Sequence, residues 1–241
     1  MRVIILAAGR GTRISRYLAG RPKCTVDIGG ISLIEYTIKK LKSKGIHDIA
    51  IVLGYNNKHI REKLKDYDIS YYENPFYDVT NSIASIWFAK DFMKQEDSYM
   101  IMNGDVFLQD ELFDRIINEP KSPVMFADGS RKEEADYKFY YENGILKKYG
   151  KELTAEETSG EYIGVGTFDF EFIKRFRDKL EEMIRTQQHS VWWENVVYNI
   201  SESDSVYIED IKGFFWAEVD YIEDYKRILE YRGIEGEKIG Q

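Results

Sequence analysis

The sequence predicts an α/β fold, an open and mostly parallel sheet with a mixed-strand extension, and three observations predict it. The chain opens on an apolar run at residues 2–8, RVIILAA, of the kind that fills a strand covered on both faces of a parallel sheet. Strand-like and helix-like segments then alternate as far as residue 108, the pattern of right-handed βαβ units. Past that point, short strand-like pieces with turn residues replace the alternation.

Taken in order, SLIEYTIKKLKSKG (residues 32–45) places Leu33, Ile34, Ile38 and Leu41 at helical spacing, and Gly45 closes the helix. DIAIVLGY is the second strand, NKHIREKLKDY the second helix and ISYYENP the third strand. NSIASIWFAKDFM is a helix opened by Asn81 as its cap, and SYMIMNGDVFL is one strand ending at an acid. SPVMFADGS, YKFYYENGILKKYGK and EYIGVGTFDF read as strands, with a turn at Glu142, Asn143 and Gly144. Helices follow in FEFIKRFRDKLEEMIRTQ and SVWWENVVYNISE, strands in VYIEDI and FFWAEVD, and a closing helix in YIEDYKRILEYR. Residues 1–232 are expected to form one domain, and residues 233–241 a frayed tail.

A length of 241 residues suits one large α/β domain. The net charge of −8 is spread rather than blocked, which argues against a nucleic-acid footprint while leaving room for a local basic cleft. Cys24 is the sole cysteine, so no internal disulfide forms, which suits a reducing compartment. The start lacks the form of a signal peptide, and no apolar stretch approaches the roughly 18 residues of a spanning helix. The expectation is a cytoplasmic protein with no membrane partner.

Residues 6–13, LAAGRGTR, stop the first strand at small residues and glycines and then turn basic. A strand, a glycine turn and a basic segment form the ground plan of a phosphate cradle. Successive backbone N–H groups point into one hollow, and Arg13 adds a charged fork. The run lacks the Gly-Lys-Ser/Thr of a Walker loop, and Ile14 stands where a dinucleotide fingerprint needs its third glycine. Further on, RPKCTVDIGG sets Lys23 directly behind the stiffening Pro22. Each signal alone fits an ordinary strand turn or surface lysine; the ordered set is far more specific.

That set resembles the nucleotidyltransferases that activate sugar phosphates and phosphocholine, whose signature runs Leu-Ala-Ala-Gly-x-Gly-Thr/Ser-Arg and then Pro-Lys. The resemblance covers most of the chain, since MNGDVF and WAEVDYIEDYKR match the family's two metal aspartates at Asp105 and Asp220. It implies a Rossmann-like sheet of the nucleotide-diphospho-sugar transferase type and in-line attack of a phosphate monoester on the α-phosphorus of a nucleoside triphosphate. Charge neutralisation and alignment carry such a step. By this resemblance Leu6, Ala7, Ala8, Gly9, Gly11, Thr12, Thr80, Asn81, Ser82 and Gly104 bind the nucleotide together with Arg13 and Lys23. Arg13 and Lys23 are catalytic cations on the phosphates, and Asp105 and Asp220 hold Mg²⁺.

Where sugar-phosphate uridylyl- and thymidylyltransferases carry Gly-Thr-Ala, this chain reads VTNSIAS. Thr80, Asn81 and Ser82 there resemble the bacterial phosphocholine cytidylyltransferase-like branch, as does SGEYIGV. The expected partners are therefore CTP and a small phosphorylated acceptor, phosphocholine or a similar amino-containing phosphate, with a homodimer left open. Surface-polysaccharide modification is the setting such enzymes serve. A cationic head group calls for aromatic and acidic residues, and the expected acceptor wall is Trp193, Glu194, Trp216 and Glu218 with Asp136, Lys151 and Glu161. In a strand WAEVD, Trp216, Glu218 and Asp220 alternate onto one face. A sugar-1-phosphate nucleotidyltransferase using UTP, dTTP or CTP is the alternative, and a non-catalytic nucleotide-binding module the third reading.

Overall fold

The computed structural model describes residues 1–234. Strands β1 (Arg2–Ala7), β2 (Ile49–Leu53), β3 (Ser70–Glu73) and β4 (Tyr99–Asn103) lie parallel in the order β3-β2-β1-β4. The opening run is apolar throughout because both faces of β1 are covered. Ile4 and Leu6 pack into one core, and Val3, Ile5 and Ala7 into the other. Four helices connect these strands: α1 (Ser15–Leu18), α2 (Leu33–Ser43), α3 (Asn57–Lys63) and α4 (Ser82–Phe88). Helix α2 buries Leu33, Ile34, Ile38 and Leu41, as their spacing predicts. Its start is capped by Ser32, and Gly45 follows its end at φ +81°. The expected helix over residues 81–93 is two pieces, α4 and a 3-10 turn at Lys90–Lys94.

The single strand predicted over residues 98–108 is also two. β4 ends at Asn103, Gly104 donates its N–H to the Leu6 carbonyl at 2.8 Å, and β5 (Val106–Leu108) departs from the main sheet. The break at Gly104 and Asp105 turns an acid out at the end of the sheet. Helix α5 (Asp110–Ile117) was not anticipated; its eight residues carry only one short apolar face, Leu112, Phe113 and Ile116.

The extension consists of β6 (Val124–Asp128), β7 (Lys138–Glu142), β8 (Ile145–Gly150), β9 (Gly160–Phe168) and β10 (Tyr207–Asp210). It continues the sheet beyond β4 as β9-β6-β10-β8-β7. Its pairings are antiparallel except for β6 with β10. The fold is the expected α/β sheet with a mixed extension. Helices α6 (Phe170–Arg185) and α7 (Glu194–Ser201) cover one face, and α7 begins four residues later than its segment suggests. Strand β11 (Trp216–Glu218) pairs antiparallel with β5, Glu218 opposite Val106, and α8 (Ile222–Tyr231) follows. This small pair carries Asp220 back beside Asp105.

Gly233 and Ile234 donate their N–H groups to Glu230 and Leu229 of α8. Residues 235–241, the rest of the expected tail, lie outside the described residues. No helix among the described residues is long and apolar enough to cross a membrane.

Candidate active site

The C-terminal ends of β1, β2 and β4 are laced together. Ala8 accepts from the Tyr55 N–H at 3.0 Å, and Leu6 accepts from Gly104 at 2.8 Å. Ligands of open α/β sheets bind outside these strand ends, and a cleft of about 510 Å³ opens there. Leu6, Ala8, Gly9, Gly11, Thr12 and Arg13 line one side of it. Gly9 has open space where a side chain would stand. Gly11 sits at φ +62°, and a Cβ there would lie 2.2 Å from Cγ of Lys23, so the glycine makes room for the lysine stem as much as for a ligand.

Lys23 is held by a 3-10 turn, Lys23–Thr25, which is tied back by the Thr25 hydroxyl donating to the Pro22 carbonyl at 2.7 Å. Its Nζ lies 2.5 Å from a carboxylate oxygen of Asp105 and 2.5 Å from one of Asp220. Arg13 takes the other Asp220 oxygen at 2.6 Å. Burial works against the charge on Lys23, but Asp105 and Asp220 outweigh it and raise its pKa. Burial likewise opposes ionisation of Asp220, yet Lys23 and Arg13 keep its pKa below the ordinary carboxylate value. Glu218 completes the group: one oxygen from each of Asp105, Glu218 and Asp220 lies within 4.8 Å of the others. Burial first, and then the Asp105 charge, push Glu218 well up. Three converging carboxylates around a bound ammonium are an oxygen-rich, charge-demanding set, which fits a hard divalent cation.

The opposite wall comes from α4 and the extension. Thr80, Asn81 and Ser82 all line the cleft. Asn81 caps α4, accepting from the Ser82 N–H at 2.7 Å, and its own N–H reaches the His189 carbonyl at 2.9 Å. The Ser82 hydroxyl accepts from the Trp193 N–H at 2.9 Å, so Asn81 and Ser82 fix the segment leading into α7. Asp136, Lys151, Glu161, Glu194 and Glu218 reach the cleft as expected. Lys151 pairs with Asp136 at 2.8 Å. Glu161 is clamped by Arg131 and by the Asp136 N–H at 2.8 Å. Burial pushes the Glu194 carboxyl up to about 8.

Four expected residues do not line the cleft. Ala7 points into the core from the last position of β1, and Gly104 lies behind the wall, where a Cβ would strike the Leu6 carbonyl at 2.9 Å. Trp193 is fully buried against Phe168 and Phe176, with its indole N–H donated to Asn103 at 3.2 Å. Trp216 is 5% exposed in the core, its indole N–H donated to Asp128 at 2.9 Å. β11 ends at Glu218, so the alternation expected along WAEVD holds for Trp216 and Glu218 while Asp220 lies in the turn beyond; even so, two residues of strand span about 6.8 Å. Glu218 sits at the cleft beside Asp105, and Trp216 lies one step deeper, opposite Leu108. Trp216→Ala is therefore expected to cost about 3–5 kcal/mol of stability and leave both substrate KM values near those of the parent. Thermal unfolding and steady-state kinetics on the same variant check this.

Tyr77, Ser85, Asn103, Tyr137, Tyr162 and Gly164 line the cleft without having been singled out as site residues, and Trp192, one of the two tryptophans of VWWENVV, lines it too. Tyr162 and Gly164 come from β9, which is buried along its whole length. Nothing in its apolar pattern marks which positions lie under a cleft.

A model of the MobA-like NTP transferase domain matches residues 3–161. The chain belongs to the MobA-like NTP transferase domain family. This NTP transferase is 28% identical to a CTP:phosphoglutamine cytidylyltransferase of Campylobacter jejuni, across 95% of this chain and 100% of that one. It is also 28% identical to the choline-phosphate cytidylyltransferase of Streptococcus pneumoniae, across 95% and 97%. Among solved structures, the CTP:phosphocholine cytidylyltransferase from Streptococcus pneumoniae superposes with a TM-score of 0.81 at 23% identity, covering 96% of this chain and 98% of that one. The inositol-1-phosphate CTP transferase of T. maritima superposes at 0.79 and 16%, covering 98% of each. These two structures share the NTP transferase fold.

Proposed function

We propose that this nucleotidyltransferase moves a cytidylyl group from CTP to a small phosphate monoester with a cationic head group, releasing pyrophosphate. The observation that carries the reading is the cluster at the glycine loop. Two cations suited to phosphates, Arg13 and Lys23, stand on the carboxylates of a divalent-metal site. Relatives matched over nearly the whole chain are named as cytidylyltransferases, one for phosphoglutamine and one for choline phosphate.

In this reading an oxygen of the acceptor phosphate forms a bond to the α-phosphorus. The bond from that phosphorus to the bridging oxygen breaks, and pyrophosphate leaves with the electron pair. The acceptor phosphate is already an anion, so no general base is required. Asp105 and Asp220 would hold Mg²⁺, which when bound would supply charge neutralisation and alignment of the phosphates. The loop from Leu6 to Thr12 offers backbone N–H groups to the nucleotide, and Arg13 takes the departing pyrophosphate. Lys23 exchanges its carboxylate partners for phosphate oxygens and meets the charge that grows at the reacting phosphorus. Lys151, which lines the cleft paired with Asp136, would receive the acceptor phosphate. A cytoplasmic location suits a CTP-dependent enzyme.

A thermal-shift panel of CTP, UTP, dTTP, ATP and GTP with Mg²⁺ tests the nucleotide. A ligand at 100 times its Kd stabilises by about 2.7 kcal/mol, and CTP is expected to give the largest shift. Pyrophosphate release from CTP, assayed across small phosphate monoesters and sugar 1-phosphates, tests the reaction. Turnover confined to sugar phosphates with UTP or dTTP overturns the reading in favour of nucleotide-sugar synthesis.

A further inference from the structure

The acceptor end of the cleft holds the Glu194 carboxyl, which no cation of the described residues pairs, and the Glu218 carboxyl, which feels the Lys23 ammonium only through space while Lys23 is bonded to Asp105 and Asp220. Among the described residues, no lysine, arginine or histidine nitrogen forms an ion pair with Glu194. The same holds for Glu218. Glu194 is 7% exposed. The third polar group there is the Tyr162 hydroxyl, buried and without a partner in hydrogen-bond geometry, although both carboxyls are close enough to raise its pKa after burial has done so. A buried carboxyl is costly to ionise without a counter-charge, and a buried hydroxyl whose neighbouring carboxyl lies outside hydrogen-bond geometry is costly too. All three become satisfied when one cation bearing N–H donors enters.

The nearby rings serve a different purpose. Tyr162 stacks on Phe139 with centroids 4.9 Å apart, and Tyr137 lies parallel to Tyr198 at 6.3 Å. Trp192 meets the edge of Tyr137 at 5.4 Å and carries the Lys151 ammonium 5.7 Å from its ring. A cage for a quaternary ammonium needs ring faces turned towards the methyl groups. Here those rings spend contacts on each other and on Lys151, and what converges on the head group is a set of hydrogen-bonding oxygens.

We infer that the acceptor's head group is a primary ammonium, bound through its N–H groups by Glu194, Glu218 and Tyr162, and that a trimethylammonium is discriminated against. This rests on the reading of the cleft as a nucleotidyl-transfer site and narrows its second substrate to a phosphorylated primary amine. A primary ammonium has three donors for the three groups. A trimethylammonium has none, and its methyls leave the same buried oxygens unpaired. Sites built to hydrogen-bond a substrate N–H reject analogues lacking it strongly, whereas added or missing methyl groups in an apolar pocket matter much less.

The test compares phosphoethanolamine, phosphocholine and the uncharged 2-hydroxyethyl phosphate. Each is assayed with CTP for pyrophosphate release and, separately, titrated calorimetrically into the protein. The expected result is a kcat/KM for phosphoethanolamine on the order of 10² above that of either analogue, with the same order of binding. In Glu194→Gln and in Tyr162→Phe, the preference for the amine over the hydroxyl analogue should shrink several-fold or more through the acceptor KM, with the CTP KM close to the parent's. Phosphocholine turned over or bound as well as phosphoethanolamine overturns the inference while CTP turnover leaves the reaction reading intact. Turnover only with another nucleotide overturns the reaction reading, and the calorimetric order of the three esters still decides the head group. Failure of phosphoethanolamine to bind more tightly than both analogues counts against the inference.

Discussion

Asp220→Asn should abolish metal-dependent turnover while leaving a folded protein. Asp220 is the point on which the site converges. One oxygen meets Lys23 at 2.5 Å, the other meets Arg13 at 2.6 Å, and it shares the carboxylate cluster with Asp105 and Glu218. A metal acting on transferring phosphates contributes several kcal/mol of transition-state stabilisation, so its loss corresponds to a fall of about 10³ or more in kcat. The amide keeps the size of the side chain but halves its capacity to accept and removes its charge, so metal affinity falls, Arg13 loses its carboxylate and Lys23 keeps only Asp105. The residue lies just beyond β11 at the cleft, outside the two large cores, and the fold should tolerate the change. Asp105→Asn should do the same through the metal and through Lys23, leaving Arg13 on Asp220. Circular dichroism, Mn²⁺ binding followed by paramagnetic resonance and turnover across a Mg²⁺ titration read the three consequences apart. A parent enzyme whose rate ignores chelators would falsify the metal role.

Lys23→Met is expected to lower kcat by roughly 10²–10³, about 2.7–4 kcal/mol, the scale for removing one preorganised charge from a transition state. CTP affinity should fall far less, because the loop backbone and Arg13 still bind the nucleotide. The variant also leaves Asp105 and Asp220 facing each other without their shared cation. Free Mn²⁺ should therefore bind more tightly in Lys23→Met than in the parent when no nucleotide is present, an effect opposite in sign to the loss of activity. That opposition separates a charge role from simple damage to the site: a misfolded site would lose metal affinity and turnover together. Near-parental kcat in this variant removes Lys23 from the chemistry.

The opening residues carry much of this legibly. The apolar run of β1, the glycines and the basic turn sit within residues 2–13, so strand, loop and cation are tied by short stretches of backbone that the sequence spells out in order. Lys23 follows after a short loop, fixed by Pro22. Local periodicity likewise gave α2, α6 and α8 close to their observed limits, because each buries one continuous apolar face. Helix α5 and the division of the 98–108 segment were missed for the complementary reason. The first is too short for a period, and the second depends on β5 finding a partner over a hundred residues away.

The amino-acid sequence by itself determined the class of fold, the glycine loop, its two cations and the two acids at strand ends. The sheet, the glycine loop and its basic turn follow from residue type and spacing, whereas the roles of Lys23 and of the two acids came through the family resemblance. Only the tertiary structure decided the depth at which each side chain sits. Trp192 and Glu194 reach the cleft while Trp193 between them goes to the core, because Ser82 and Asn103 fix that segment by hydrogen bonds from other parts of the chain. Glu218 and Trp216 share a face of β11, yet one lies beside Asp105 and the other beneath it against Asp128. Alternation along a strand sets the direction of a side chain; its distance from a ligand is set by where the neighbouring strands end, and that depends on contacts between residues far apart in the chain.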